Sequence, residues 1–328
     1  MKKIKNIAMT ILASLLISAC AKEEPLWVLP PAGSETSADF ELGENYEHVV
    51  YFNLNDGMQH KRKLRDWDIA FGSGIGTRNL MLNGGNEVQS FNTHDSCMDT
   101  HVPLPKEGDW QWDNPNGDLD STAIGCWWQK NSNKSKGDVY ILDRGPKAMP
   151  RFLRMKILGC DTNQFTVLFA DMNGFGQIIK SIKRNYQSNY TYFDLGSLRT
   201  VDFEPPSNQW DIVFTKYRYI YYHMTPITPY YVCGALINTK NCRVYESRNL
   251  SFEEINKETA ISLVLSKKAD EIGYDWKYFD LNSLRYSITK NQVFVIEDKE
   301  GYLYKLKFID FYNSSGQKGH PSFVYQRL

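Results

Sequence analysis

The chain alternates apolar and polar residues in many short runs, the pattern of β-strands with one buried face. The runs are bounded by Gly, Asn, Asp or Pro, as in β-sandwiches and barrels, where turns separate short strands. The pattern therefore predicts an all-β fold of sandwich-like sheets with little helix. We predict strands near residues 48–54, 67–71, 138–142, 152–158, 165–170, 177–183, 190–195, 210–214, 217–224, 230–237, 242–246, 293–297, 302–309 and 323–327.

Helix is predicted at one place, and two other segments predict turns or loops. Ser251 and Glu254 have the spacing of a capping box, in which each side chain bonds the other residue's backbone N–H at the start of a helix. Residues 238–241 are typical of a tight turn and predict a hairpin between the flanking strands. Residues 72–137 have weak periodicity and many Gly, Asn and Asp, so we expect long loops that are binding elements or decoration.

One strand pattern occurs twice. Residues 210–214 read WDIVF and residues 67–71 read WDIAF. Alternation predicts that Trp210 shares one core face with the Ile and Phe that follow it, while Asp211 ties a neighbouring turn. Further matching runs follow both copies in the same order with slowly drifting offsets, which indicates a tandem duplication with loop insertions. The sequence therefore predicts two β-rich units, residues 45–186 and 187–328.

A second short motif precedes each copy of the first. Residues 51–54 read YFNL and residues 192–195 read YFDL. Residues 278–284, YFDLNSL, repeat residues 192–198 almost unchanged. We interpret this third occurrence as a recurring hairpin edge.

The amino-terminal residues have the pattern of a secretory signal. Three Lys residues precede an apolar run over residues 7–17, which is too short to span a bilayer, and small residues follow it. The four residues ending at Cys20 resemble a bacterial lipobox, so we expect residues 1–19 to be a signal peptide and Cys20 to be lipidated. The alternative is a plain signal peptide in which Cys20 is an ordinary residue. Residues 20–44 are acidic and contain Pro and Gly, which predicts a flexible tether.

The charged residues directly after Cys20 bear on location. Lys22, Glu23 and Glu24 resemble the short acidic signal that directs lipoproteins of Bacteroidetes-type bacteria to the cell surface. The alternative is a solvated tether, which most charge runs are. We expect an outer-membrane, lipid-anchored protein exposed on the cell surface.

Composition excludes several classes of function. Lys and Arg balance Asp and Glu at 38 each, which predicts no nucleic-acid partner. No nucleophile elbow, P-loop, dinucleotide glycine motif or HExxH is present, so we do not expect an enzyme. Five cysteines follow Cys20, an odd and low number that predicts no disulfide framework.

Two stretches carry candidate binding chemistry. His94, Cys97 and His101 have the spacing of transition-metal ligands, although the second ligand pair of a zinc module is missing. The alternative for this stretch is a polar surface loop.

The second stretch runs over residues 217–224. Alternation places Tyr217, Tyr219, Tyr221 and His223 on one strand face, and Met224 on the other. A wall of aromatic rings that ends in His or Met could hold a flat ring system and ligate haem iron. The alternative is a Tyr-rich strand of a sandwich with a hydrogen-bonded His at its end.

Several motifs in one order resemble the HmuY-like family of bacterial surface lipoproteins. The resemblance covers residues 187–328 well and the first half more loosely, through residues 67–71 and 139–145. In the second half it rests on residues 210–214, 230–238, 272–277, 304–313 and 316–323.

The resemblance implies an all-β carrier that binds haem and passes it to a TonB-dependent outer-membrane receptor. Family members hold haem between loops, with pairs of His or pairs of Met on the iron. The central span of the second half offers only His223 and Met224, which as strand neighbours would face opposite ways. We expect one axial ligand from this pair and the other from a second set: His94, Met98, His101, or His320 in the turn before the last strand.

A second class of function stays open at this point. A surface lipoprotein that has lost haem binding could use exposed Trp and Tyr side chains to bind a glycan or a partner protein.

Overall fold

A computed structural model describes residues 31–130, 132 and 134–328. The expected signal peptide, Cys20 and the acidic residues after it lie outside this part of the chain. Almost all of the regular structure within it is antiparallel β-sheet, which confirms the predicted fold class. The strands are β1 (Thr36–Asp39), β2 (His48–Phe52), β3 (Gln59–Lys63), β4 (Ile69–Gly72), β5 (Leu80–Leu82), β6 (Gln89–Asn92), β7 (Val139–Asp143), β8 (Phe152–Cys160), β9 (Gln164–Ala170), β10 (Ile178–Lys183), β11 (Tyr190–Asp194), β12 (Arg199–Val201), β13 (Ile212–Tyr221), β14 (Thr228–Ile237), β15 (Arg243–Ser247), β16 (Lys277–Asp280), β17 (Arg285–Ile288), β18 (Val293–Glu297), β19 (Leu303–Tyr312) and β20 (Lys318–Arg327).

The strands pack as four layers, with a small hairpin beside them. A first outer sheet, β10-β9-β8-β7-β6, faces a first central sheet, β12-β11-β4-β5. A second central sheet, β14-β13-β2-β3, faces a second outer sheet, β1-β20-β19-β18-β15. Each outer and central pair encloses an apolar core, which we call the first and second sandwich. A third apolar cluster, the central interface, joins the two central sheets.

The predicted helix start is displaced by one turn. Ser251 and Glu254 do form a capping box. The Ser251 N–H donates to the Glu254 carboxylate at 2.7 Å, and the Glu254 N–H donates to the Ser251 hydroxyl at 3.3 Å. The box closes a separate turn, however, and α1 (Lys257–Ile261) begins after it. Asn256 caps α1, because its side-chain oxygen accepts the N–H of Thr259 at 2.8 Å. Among the described residues, no helix has the length and apolar character to cross a bilayer.

The apolar residues of the repeated pentapeptide are buried in two different cores. Ile212 and Phe214 are buried in the second sandwich, whereas Trp210 is buried in the central interface. The prediction that Trp210 shares a face with Ile212 and Phe214 is therefore wrong. Trp210 ends a 3-10 turn (Ser207–Gln209) and precedes β13, so strand alternation does not extend to it.

Trp67 and Trp210 occupy equivalent places in the two halves. Trp67 follows the 3-10 turn Leu64–Asp66, as Trp210 follows its own. The ring of Trp67 packs edge-on against Tyr192 at 4.8 Å, and the ring of Trp210 packs edge-on against Tyr51 at 5.0 Å. Each Trp therefore contacts the YF motif of the opposite half.

The backbone also connects each YF motif to the opposite half. Strand β11 pairs with β4, and β2 pairs with β13. The Leu195 N–H donates to the Asp68 carboxylate at 2.8 Å, and the Leu54 N–H donates to Asp211 at 2.7 Å. The prediction that Asp211 ties a neighbouring turn is confirmed, and that turn belongs to the other half. Each sandwich thus contains a hairpin from the other side of residue 186, and the units predicted from the repeat stay a prediction.

The folded body begins before residue 45. Strand β1 pairs with β20, and Phe40 and Leu42 are buried in the second sandwich. Residues 36–44 of the predicted tether 20–44 are therefore part of the fold, because their apolar side chains fill its core.

Three local predictions also change. The predicted strands 210–214 and 217–224 form one strand, β13, which ends at Tyr221. The turn at residues 238–241 joins β14 to β15, which lie in different sheets, so the predicted hairpin there is wrong. The segment 72–137 contains β5 and β6 as well as loops.

Candidate functional site

A cavity of about 210 Å³ lies at the central interface. Its walls come from both central sheets and from the segments that precede β4 and β13. Aromatic and thioether side chains that line it include Tyr51, Trp67, Met81, Tyr192, Phe203 and Trp210. Such an apolar, concave lining suits a small molecule with a flat or hydrophobic body.

A loop of the first half, residues 113–122, lines one side of this cavity. Asp113 fixes the start of the loop, because its carboxylate accepts the N–H groups of Leu82 at 2.6 Å and Ala123 at 2.7 Å. Removal of this carboxyl from water raises its pKa to about 6.

The same loop reaches the second half. The Asn114 side-chain amide donates to the hydroxyl of Tyr222 at 3.1 Å. The Ala269 N–H donates to the Asn116 carbonyl oxygen at 2.8 Å. Residues 113–122 therefore connect the two sandwiches and bring the cavity close to the turn after β13.

Glu204 is the buried acid of the cavity wall. Its carboxylate accepts the N–H groups of Asn189 and Tyr190 and the indole N–H of Trp210, each at 3.1 Å. Burial nevertheless raises the pKa of Glu204 to about 7, since desolvation outweighs these hydrogen bonds. The cavity wall can therefore take up or release a proton near neutral pH.

Beyond the cavity, β13 carries a cluster of tyrosines. Tyr217 is buried, while Tyr219 and Tyr221 are half-buried and lie 5.1 Å apart. Tyr274 packs 5.0 Å from Tyr219, and its hydroxyl bonds that of Tyr221 at 2.8 Å. Tyr230 on β14 lies 6.1 Å from Tyr221. We call Tyr219, Tyr221, Tyr230 and Tyr274 the tyrosine cluster.

His223 and Met224 lie in the turn after β13. Because the strand ends at Tyr221, the prediction that they face opposite ways as strand neighbours is wrong. The His223 ring packs edge-on against Tyr221 at 5.6 Å, and both His223 and Met224 are exposed. The tyrosine cluster therefore ends in an open turn that carries an imidazole and a thioether.

The segment 94–101 is held on the first outer sheet. Met98 is buried against Val139 and Ala170, and its carbonyl oxygen accepts from the buried guanidinium of Arg154. His94 and His101 at the two ends of the segment are exposed.

His320 lies elsewhere in the fold. It is in β20, not in the turn before the last strand, because the strand begins at Lys318. Its Nε2 is 3.3 Å from the Asn313 amide nitrogen. The structure gives no contact between His223 or Met224 and any of the four proposed second ligands.

Metal-binding and redox groups are sparse in the described part of the chain. No cluster there brings three or more His, Cys, Asp or Glu side chains together around a possible metal ion. The five described cysteines are free thiols, namely Cys97, Cys126, Cys160, Cys233 and Cys242.

The family model described as HmuY protein matches residues 45–184 and 230–325, which is most of the chain. The chain belongs to the HmuY family. No curated protein matches the sequence.

Solved structures resemble this HmuY-family chain weakly. Apo PinO from Porphyromonas gingivitis has a TM-score of 0.34 at 10% identity, over 90% of this chain and 97% of that one. The apo HmuY analog TFO from Tannerella forsythia has a TM-score of 0.27 at 12% identity, over 91% and 97%. A candidate HmuY-like haem-binding protein from Bacteroides vulgatus has a TM-score of 0.20 at 8% identity, over 89% and 90%.

Sequence reasoning missed much of the site. Tyr274 and Tyr230 join the cluster from separate segments, and neither lies in the run of residues 217–224. Glu204 and Asp113 gave no local motif, since isolated acids occur throughout the chain. The sequence did offer one signal for Glu204. It directly precedes Pro205 and Pro206, and no other charged residue follows it before Trp210.

Proposed function

We propose that this HmuY-family chain is a lipid-anchored, non-catalytic surface protein that binds haem and passes it to a TonB-dependent outer-membrane receptor, as a carrier in iron acquisition. The observation that carries the proposal is the tyrosine cluster with the exposed His223 at its end. Aromatic rings offer a flat apolar surface to a porphyrin, and an imidazole is a common axial ligand of haem iron.

The surface available to the porphyrin is larger than the cluster alone. Side chains at 213, 215, 217, 219 and 221 share one face of β13 by strand alternation. The first three line the cavity, and the last two belong to the tyrosine cluster. One strand face therefore runs from the cavity at the central interface to the turn with His223.

The axial ligands are part of the proposal. His223 or Met224 supplies one ligand, and the other comes from His94, Met98, His101 or His320. Met98 could ligate only after leaving its packing against Val139 and Ala170. His94 and His101 are exposed at the ends of that segment, so ligation would take neither side chain out of buried packing, which favours them.

Haemin titration of the purified chain tests this proposal. We expect a Soret band that shifts in position or intensity on binding, and a changed spectrum in either His223→Ala or Met224→Ala. His60→Ala on β3 is the matched control, because it removes an imidazole outside the proposed set.

The pH dependence separates the two candidates. Protons compete with iron for an imidazole nitrogen, so binding through His223 weakens in mild acid. A thioether has no such competition, so binding through Met224 persists there. A Soret band that neither substitution alters contradicts the ligand assignment, and a wild-type chain with no Soret change contradicts the haem carrier.

A second candidate function is a surface protein for a different ligand. The cavity at the central interface favours it, because Trp and Tyr side chains are part of its lining and the exposed His223 is not. A chain that shows no Soret change, yet gains thermal stability with a small aromatic compound or a glycan, supports this candidate in place of the haem carrier.

The lipid anchor belongs to the same proposal and is tested in cells. Cys20→Ala should release the protein or leave its signal uncleaved, because the thiol that carries the lipid is absent. Glu23→Ala with Glu24→Ala should keep the protein in the membrane but hide it from external protease. Unchanged protease access in that double variant contradicts the surface signal.

A further inference from the structure

The third YFDL hairpin has the same local structure as the second. Residues 192–198 turn from β11 into β12, and residues 278–284 turn from β16 into β17. Leu198 and Leu284 both adopt a left-handed backbone, with φ of 51° and 52°. In the second hairpin Phe193 pairs with Thr200, and in the third Phe279 pairs with Tyr286, which is seven residues further along the chain in each case.

The carboxylate of the motif organises both turns. Asp194 accepts the N–H of Gly196 at 2.8 Å, and Asp280 accepts the N–H of Asn282 at 2.9 Å. The hairpins therefore share sequence, register and turn, and they differ in their surroundings.

The second hairpin is docked. The free edge of β11 pairs with β4, and Phe193 and Leu195 are buried in the first sandwich. The Leu195 N–H donates to Asp68, the Asp of the WDIAF strand. The first hairpin docks in the same way, with the Leu54 N–H on Asp211 of the WDIVF strand.

The third hairpin packs against the second sandwich through Tyr286 and Ile288 of β17, and it differs from the other two hairpins at the outer edge of β16. Among the described strands, β16 pairs with β17 alone. Tyr278 and Phe279 are exposed, and Leu281 and Leu284 are 79% and 70% exposed, whereas Leu195 at the position matching Leu281 is 1% exposed. A hairpin with an open edge and exposed apolar side chains is a template for pairing with another strand.

We propose that hairpin β16–β17 is a docking element for a partner protein that offers an open-edged β-strand with a Trp-Asp-Ile-x-Phe pattern. The chain itself shows what covers this motif, because both of its docked copies lie on such a strand and give a Leu N–H to its Asp. The described chain contains three hairpins of this type and two strands of the Trp-Asp-Ile-x-Phe pattern, and each of these strands already pairs with one hairpin. The acceptor for the third hairpin therefore belongs to another molecule, and the Leu281 N–H is the donor to its Asp.

A synthetic hairpin provides the probe. A labelled peptide of residues 64–83 contains β4 and β5 with the edge that β11 covers in the fold left open. We expect the purified chain to bind it saturably in fluorescence anisotropy. The same peptide with Asp68→Asn should bind about tenfold more weakly or worse, because the acceptor loses its charge and a hydrogen bond to a neutral amide oxygen is weaker.

Paired variants locate the binding site on the chain. Leu281→Ser with Leu284→Ser should abolish binding, and because both side chains are exposed the fold should stay intact. Ile75→Ser with Phe175→Ser removes equally exposed apolar side chains elsewhere and should bind like wild type.

Three outcomes overturn the proposal. They are absence of peptide binding, equal binding of the Asp68→Asn peptide, and unchanged binding by the Leu281→Ser, Leu284→Ser variant. Concentration-dependent self-association that this variant abolishes would assign the hairpin to a second copy of the chain and would overturn the separate partner.

Discussion

Trp67 and Trp210 fill equivalent places but differ in their polar contacts. The indole N–H of Trp210 donates to Glu204, whereas that of Trp67 is buried and has no acceptor among the described residues. The two side chains should therefore contribute similar packing and different hydrogen bonding.

This difference gives a matched pair of substitutions. Trp210→Ala should lower the free energy of unfolding by about 3–5 kcal/mol through lost packing. Trp210→Phe should cost about 1–2 kcal/mol more than Trp67→Phe, because only the former takes a donor away from a buried carboxylate. Chemical denaturation measures both values, and an equal loss in the two Phe variants contradicts the role of Glu204. Val264→Ala, at an exposed position, is the control.

Glu204 also makes stability depend on pH. Its pKa is about 4.5 in the unfolded chain and about 7 in the fold, so between these values the folded state holds a proton that the unfolded state has released. The free energy of unfolding should therefore fall as pH rises through this window. Burial raises the pKa values of Asp113 and Asp211 to about 6, which adds to the same trend.

The variant Glu204→Gln isolates that contribution. It stays neutral at every pH, so its unfolding free energy should fall less than that of wild type between pH 5 and pH 8. Denaturant midpoints at several pH values provide the measurement, with the exposed Glu44→Gln as control. A variant slope equal to that of wild type contradicts the assignment.

At the scale of elements, the two Asp–hairpin contacts differ in one partner. Asp68 also pairs with the buried guanidinium of Arg144 at 3.0 Å, whereas no cation among the described residues pairs with Asp211, which accepts weakly from the Cys242 thiol. The hairpin contact at Asp68 is therefore part of an ion pair, and the contact at Asp211 is between neutral donors and a carboxylate.

Removing each carboxylate should expose this difference. Asp68→Ala should cost about 3–5 kcal/mol, because Arg144 stays buried with less compensation. Asp211→Ala should cost about 1–3 kcal/mol, the value for unsatisfied backbone donors. Thermal and chemical unfolding of both variants gives the comparison, and a larger loss for Asp211→Ala contradicts it.

Element prediction succeeded where apolar periodicity was strong. Strands such as β7 and β18 are continuous apolar runs and were located closely. Strand β3, with the sequence QHKRK, is polar at every position and carries no hydrophobic signal, so it was missed. The exchange of hairpins could not be predicted, because both copies of the YF motif match both copies of the WDI motif, and only chain connectivity selects between the pairings.

Part of the candidate site could be predicted from the sequence, for a similar reason. His223, Met224 and the wall of Tyr217, Tyr219 and Tyr221 lie in one contiguous run, so alternation and residue type were enough to single them out. Tyr274 and Glu204 approach from distant segments, and their positions depend on tertiary packing that no local pattern encodes.

At the scale of the whole molecule, the exchanged hairpins make each half incomplete. The first half alone leaves the edge of β4 unpaired, and the second half alone lacks the strand β2 that pairs with β13. We expect residues 21–186 and 187–328, produced separately, to be poorly folded, and to form a one-to-one complex with β-sheet signal when mixed. Circular dichroism and size-exclusion chromatography test this, and two stable monomeric halves would contradict it.

Because β1 pairs with β20, the two ends of the described fold also depend on each other. During synthesis β4 must wait for β11, more than 100 residues later, and β1 must wait for the last strand. At about 5–20 residues per second, the edge of β4 stays open for on the order of ten seconds. An unfinished chain therefore exposes sheet edges that aggregate readily, so a cell that makes this protein needs a chaperone able to hold it until its carboxyl end emerges.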